Sequence, residues 1–181
     1  HQEQRVYDVT MALAAEMLAV SGVATDVADG FRMAGEALES GKAAEVFAKM
    51  VASLGGPVDF VEKHQNYLEA APMVQAVSAA KTGRVLSMDA RKVGLALVAL
   101  KGGRTRADQK IDFAVGFSDF IKVGQPVSAE TPLCMAHTRD QAQFDAATTL
   151  LREAIEIGEG EVANTGDAPA VRERIIARQK G

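Results

Sequence analysis

The sequence predicts an α+β protein in which a helical segment of about 70 residues precedes a domain of about 80 to 105 residues with an antiparallel sheet and two helices. Three observations lead there. Before residue 70, apolar side chains recur at helical spacing without a strand pattern between them. Near Pro72 the pattern changes to short apolar runs punctuated by glycine and proline. Within that second part, Asp89 and Asp140 each stand in capping position before a helical stripe.

In the first helix, Val9, Leu13, Met17 and Val20 fall on one stripe, with Asp8 as N-cap and Gly22 as the stop. Thr25 caps a second helix that runs toward Ser40-Gly41, where the glycine supplies a left-handed cap. Val46, Phe47, Met50, Val51 and Leu54 form the apolar face of a third, which ends at Gly55-Gly56-Pro57. A short turn around residues 59–63 follows. Such broad apolar faces need a surface to pack on, and the segment itself supplies no sheet.

Residues 74–79 and 84–88 read as strands joined as a hairpin about Lys81-Thr82-Gly83. Asp89 then caps a helix whose inner face holds Ala90, Val93, Gly94, Leu97 and Val98, and Lys101-Gly102-Gly103-Arg104 breaks it. Residues 111–117, 120–123 and 132–137 read as short strands, with turns at 116–119 and 124–131. The closing helix begins at Asp140, with Gln143 at the capping-box position. Its stripe is Phe144, Ala147, Leu151 and Ile155, and Gly158 ends it. Residues 169–176 return as an edge strand, and no repeat of solenoid length is present.

Composition narrows the function classes. With 48% hydrophobic and 24% charged residues, the chain has the balance of a globular protein. Lys and Arg number 20 against 24 Asp and Glu, and the resulting net charge of −4 gives no support for non-specific binding to nucleic acid or to an anionic membrane. No apolar run reaches the ~18 residues of a spanning helix, and no signal-peptide pattern is present. Cys134, the one cysteine, cannot form an intrachain disulfide, so a reducing cytoplasm is the simplest compartment. His1, His64 and His137 are too widely spaced to suggest a metal cluster. The chain opens on His1 rather than Met and so reads as processed or as a piece of something longer.

Few residues suggest chemistry. Lys101-Gly102-Gly103-Arg104 with Arg106 reads either as a loop whose backbone N–H groups and cations face an anion, or as a helix C-cap followed by a solvated loop. It is not a P-loop, because no Lys-Ser/Thr follows and no strand feeds it. Asp108, Asp112 and Asp119 flank short strands and are read as turn-formers before bases or cation ligands. Strand alternation puts Cys134 and Ala136 on one face and His137 on the other, which disfavours a Cys/His nucleophile pair and makes Cys134 a small core residue. His64 lies in a polar turn, and no Gly-x-Ser-x-Gly elbow is present. Val123-Gly124-Gln125-Pro126-Val127 with Thr131-Pro132-Leu133 resembles the second half of a biotinyl/lipoyl-type barrel-sandwich. The carrier lysine of such modules is absent, since Met88 is followed by Asp89. No nucleophile, base and oxyanion donor occur together.

Several motifs in order carry a wider resemblance. Tyr7-Asp8-Val9-Thr10-Met11-Ala12-Leu13, Gly41-Lys42-Ala43-Ala44-Glu45-Val46-Phe47 and Gly56-Pro57-Val58-Asp59-Phe60-Val61-Glu62 are followed by Gly83-Arg84-Val85 with Met88-Asp89. Gly102-Gly103-Arg104 and Ile111-Asp112-Phe113-Ala114-Val115-Gly116-Phe117 complete the set. Together they resemble the C-terminal portion of the thymidine phosphorylase / pyrimidine-nucleoside phosphorylase family, over nearly the whole chain and more weakly after Gly158.

The resemblance implies an enzyme that reversibly splits thymidine with inorganic phosphate, as co-substrate, into thymine and 2-deoxy-α-D-ribose 1-phosphate. It implies a homodimer with no further cofactor, beside the cytoplasmic compartment expected from the lone cysteine and the lack of a nucleic-acid or membrane partner expected from charge and hydropathy. It assigns residues 1–72 to the helical tail of an α/β domain and 73–181 to an α/β-hammerhead-like (barrel-sandwich) C-terminal domain. In the family, the Lys-His-Ser phosphate segment and the residues that hold the pyrimidine lie in the N-terminal half and have no matching position here. The resemblance therefore assigns no catalytic, cofactor-binding or metal-binding residue to this chain, which alone is expected to be inactive. Its contribution is to the cleft rim and to domain closure, with Gly102, Gly103, Arg104 and Asp112 as the closure loop. The competing expectations are a lipoyl/biotinyl-like carrier and a stand-alone partner-binding module.

Overall fold

In the computed structural model, the residues described are 4–162 together with Val171, Glu173 and Ile175. The architecture is α+β, with six helices and two small antiparallel sheets among the described residues. The chain's described residues divide into two compact units, one holding those up to His64 with Val171, Glu173 and Ile175, and the other those from Gln65 to Val162. The edge strand expected over 169–176 falls mostly outside the described residues.

The first unit is helical. Helix α1 (Gln4–Val20) begins before Asp8, so Asp8 is an interior residue whose carboxylate accepts the Gln4 side-chain amide (2.7 Å) rather than an N-cap. The buried face of α1 is Met11 and Ala15, while Leu13, Met17 and Val20 of the expected stripe are exposed. The reason is close packing through small side chains. A Cβ placed on Gly30 would lie 2.5 Å from the Ala15 carbonyl oxygen, so α1 and α2 (Val27–Glu39) meet where neither carries bulk. Asp26, not Thr25, caps α2 by accepting the Asp29 N–H (2.8 Å), and Thr25 instead donates to the Asp29 carboxylate. Gly41, with φ of +81°, takes the left-handed conformation between Ser40 and α3 (Lys42–Ser53). The segment read as a turn at 59–63 opens α4 (Phe60–Tyr67), kinked at Lys63, and Phe60 packs at a tilt on Phe47 with ring centroids 6.4 Å apart.

The second unit places β5 (Pro132–Thr138) at the centre of one sheet, between β1 (Met73–Ser78) and β3 (Gly116–Ser118). The other sheet places β2 (Gly83–Met88) between β4 (Pro126–Val127) and β6 (Ile155–Gly158). The expected β1–β2 hairpin does not form, because the two strands belong to different sheets and pair with partners distant in sequence. Residues 111–115 and 120–123, also expected as strands, lack ladder pairing, and only Gly116–Ser118 joins a sheet. Ile155, expected on the last helix's stripe, starts β6 opposite Met88, because α6 (Gln141–Ala154) stops one residue earlier.

The core follows from the apolar run of β5. Cys134 and Ala136 face a cluster with Val77, Ala96 and Leu151, whereas Leu133 faces another with Ala79, Val85, Val127 and Ile155. A strand buried on both faces reads as continuous rather than alternating hydrophobicity. Helix α5 (Ala90–Ala99) buries Ala96 and presents Val93 to the first cluster, while Leu100 just past its end joins Val115 and Ala147. Ala90 and Gly94, expected inward, are exposed.

Candidate functional site

The loop after α5 is built on close backbone approach. The left-handed residue that ends the helix is Lys101 (φ +67°), not either glycine. Gly102 and Gly103 serve a different need, since a Cβ on them would come within 2.4 Å of Leu97 and 2.9 Å of Val98. The loop therefore lies directly on α5. Its basic side chains turn to neighbours: the Arg104 guanidinium donates to the Ala107 carbonyl (3.3 Å), and Arg106 forks onto Asp108 (3.0 and 2.5 Å). The side-chain oxygen of Gln109 accepts the N–H groups of Thr105 and Arg106 and the Thr105 hydroxyl.

Asp112 has a different partner from Arg104. Arg139 grips it bidentately, with Nε on Oδ2 (2.7 Å) and Nη2 on Oδ1 (2.8 Å), and sends Nη1 to Glu69 (2.6 Å). The hydrogen-bonded guanidinium pulls the Asp112 carboxyl down to about 2 and holds Glu69 below its ordinary range, while the two carboxylates push the Arg139 pKa up. A carboxylate so neutralised is no general base near neutral pH. The sequence singles out Asp112 but gives no sign of Arg139 or Glu69, because the pairs span 27 and 70 residues. Beside this cluster runs a groove of about 460 Å³ whose lining includes Val93, Leu97, Asp112, Phe113, Phe117 and Phe120.

The remaining candidates separate. Cys134 is fully buried, and desolvation pushes its thiol up to about 12, so it is inert as a nucleophile near neutral pH. His137, on the opposite face of β5, shares a hydrogen bond with the Ser118 hydroxyl (2.9 Å), which also donates to Asp119 (2.9 Å). Asp89, after Met88, caps α5 by accepting the N–H groups of Arg91 and Lys92 and so occupies a helix start rather than the tip of a hairpin. Among the described residues, no helix is long and apolar enough to cross a membrane.

Comparison with known proteins gives two findings. Residues 84–158 match the family described as Pyrimidine nucleoside phosphorylase C-terminal domain. The chain is 46% identical over 177 residues to a Mesorhizobium japonicum protein named thymidine phosphorylase, covering 98% of this chain. The chain spans 40% of the length of that curated relative. Taken with the α+β architecture of residues 84–158, these matches make the chain a counterpart of the C-terminal portion of the thymidine and pyrimidine-nucleoside phosphorylase family.

Proposed function

We propose that the chain serves as the C-terminal portion of a thymidine phosphorylase, a pentosyltransferase of pyrimidine salvage acting in the cytoplasm as a homodimer. The observation that carries this reading is the 46% identity to thymidine phosphorylase across 98% of the chain. In the reaction, an oxygen of inorganic phosphate forms a bond to C1′ of the nucleoside as the C1′–N1 bond breaks. The bonding pair leaves with the pyrimidine, which takes up a proton to become thymine. The phosphate and base pockets would belong to an N-terminal portion. On this reading, residues 1–72 complete an α/β domain and residues 73–181 form the C-terminal domain. Gly102, Gly103, Arg104 and Asp112 would shape a loop that meets the rest of the enzyme on closure and excludes water from the reacting groups.

The test is thymidine phosphorolysis, followed by the absorbance change on release of thymine. It is run with the chain alone and with the chain combined with the N-terminal portion of a thymidine phosphorylase. The expected outcome is turnover only in the combination. Turnover by the chain alone would refute the assignment of the pockets, and no turnover by a correctly assembled pair would refute the function.

A further inference from the structure

We propose that Arg139 is a positioning residue whose simultaneous grip on Asp112 and Glu69 fixes the 101–115 loop in the turn that carries Phe113 outward. Its own backbone is held on both sides. Thr138 before it pairs with Met73 in the β1–β5 ladder, Asp140 after it caps α6, and the Arg139 N–H donates to the Gln143 side chain (3.0 Å). The guanidinium thus projects from a strand–helix junction, and its planar fork fixes the orientation as well as the distance of Asp112.

Asp112 passes that constraint along the loop. Its N–H donates to the Lys101 carbonyl (2.8 Å), closing the loop's stem, and its Oδ1 also accepts the Ala114 N–H (3.1 Å). The resulting Asx-turn encloses Phe113, a residue that is 89% exposed. An aromatic ring left in water forgoes the burial that ordinarily places it inside. The ring also stands beside the groove lined by Phe117 and Phe120. While Gly102, Gly103 and Val115 pack the two ends of the loop on α5 and the core, the clamp holds the turn at Phe113, a residue that packs little against its own unit. The catalytic consequence rests on the phosphorylase reading, in which this loop meets the rest of the enzyme, whereas the control of loop shape rests on the geometry alone.

The experiment uses Arg139→Gln, Arg139→Lys, Asp112→Asn and the Arg139→Gln/Asp112→Asn double variant. Amide exchange on the 181-residue chain is expected to quicken about tenfold over residues 101–115 in Arg139→Gln, with β5 and α6 still protected. In the chain assembled with the N-terminal portion, kcat is expected to fall about tenfold with KM nearly unchanged. Arg139→Lys, which keeps the charge but not the fork, should recover part of the loss. The double variant should be no worse than the worse single one. Unchanged loop exchange in Arg139→Gln, or a loss seen in KM alone, would overturn the proposal. If the wild-type assembly does not turn over, the phosphorylase reading fails, and loop exchange in the chain still decides the role of Arg139.

Discussion

Asp112 and Arg139 are opposite charges that both keep some contact with solvent, and their pairing leaves a signature in acid. The Asp112 pKa lies at about 2, below the 3.8 of an ordinary aspartate, chiefly because Arg139 hydrogen-bonds to the ionised form. A carboxyl depressed in the folded state stabilises that state above its unfolded pKa and loses the contribution as pH falls through its folded pKa. The Tm of the chain should therefore drop between about pH 4 and about pH 2, and Asp112→Asn should flatten that part of the profile in scanning calorimetry. An identical slope in the variant would show that the pair does not form in solution. At Gly30 the obstacle is backbone. A Cβ there would sit 2.5 Å from the Ala15 carbonyl oxygen, which no rotamer change can relieve. Gly30→Ala should destabilise the helical unit by about 1–3 kcal/mol, as overpacking does, read as an earlier loss of helix in a thermal melt. At Gly102 the atom 2.4 Å from the added Cβ is the tip of the Leu97 side chain, which can rotate away. Its alanine variant should cost less than that of Gly30.

Helix α6 depends on its first turn. Asp140 accepts the Gln143 N–H (2.8 Å), and Gln143 reaches back to the Arg139 N–H, so Asp140→Ala should cost about 0.5–2 kcal/mol in urea unfolding. A cost near zero would mean that the packing of Ala147 and Leu151 alone sets this helix end. The cap was legible in the sequence, as was Asp89, because a cap is written within four residues. Asp8 and Thr25 misled because a cap residue has meaning only relative to where its helix starts, and α1 starts earlier and α2 later than the local pattern implies. Strand pairing was less legible. Lys81-Thr82-Gly83 carries a turn signal, but whether two strands share a sheet depends on β5 and β6, which arrive more than 40 residues later. Ile155 satisfies a helical stripe and a strand equally well, and pairing with Met88 decides between them. Within the site, the glycines were legible as a helix break but not as contact surfaces. Arg139 was invisible because its partners meet it only through the fold.

The distribution of apolar surface across the chain has a consequence in solution. The unit that begins at Gln65 encloses Val77, Val85, Leu100, Leu133 and Leu151 almost completely. The helical unit buries little beyond Met11, Ala15 and Ala24, and leaves Leu13, Val46, Met50, Met17 (72% exposed) and Leu54 (81% exposed) in water. Full burial of one such side chain is worth about 1.5–3 kcal/mol, so even partial cover of several favours association. A net charge of −4 on 181 residues provides little repulsion against it. The isolated chain should therefore associate with rising concentration in sedimentation velocity. Leu13→Lys, Met17→Lys and Leu54→Lys together should reduce that association, because none of the three lies on the Met11/Ala15 face that packs against α2. Amide exchange should follow the same division, fast in α1 to α3 and slow through β1, β5 and α6. A chain that stays monomeric at high concentration with uniform protection would mean that these faces are covered within the chain itself, and the substitutions would then unfold the helices instead of solubilising them.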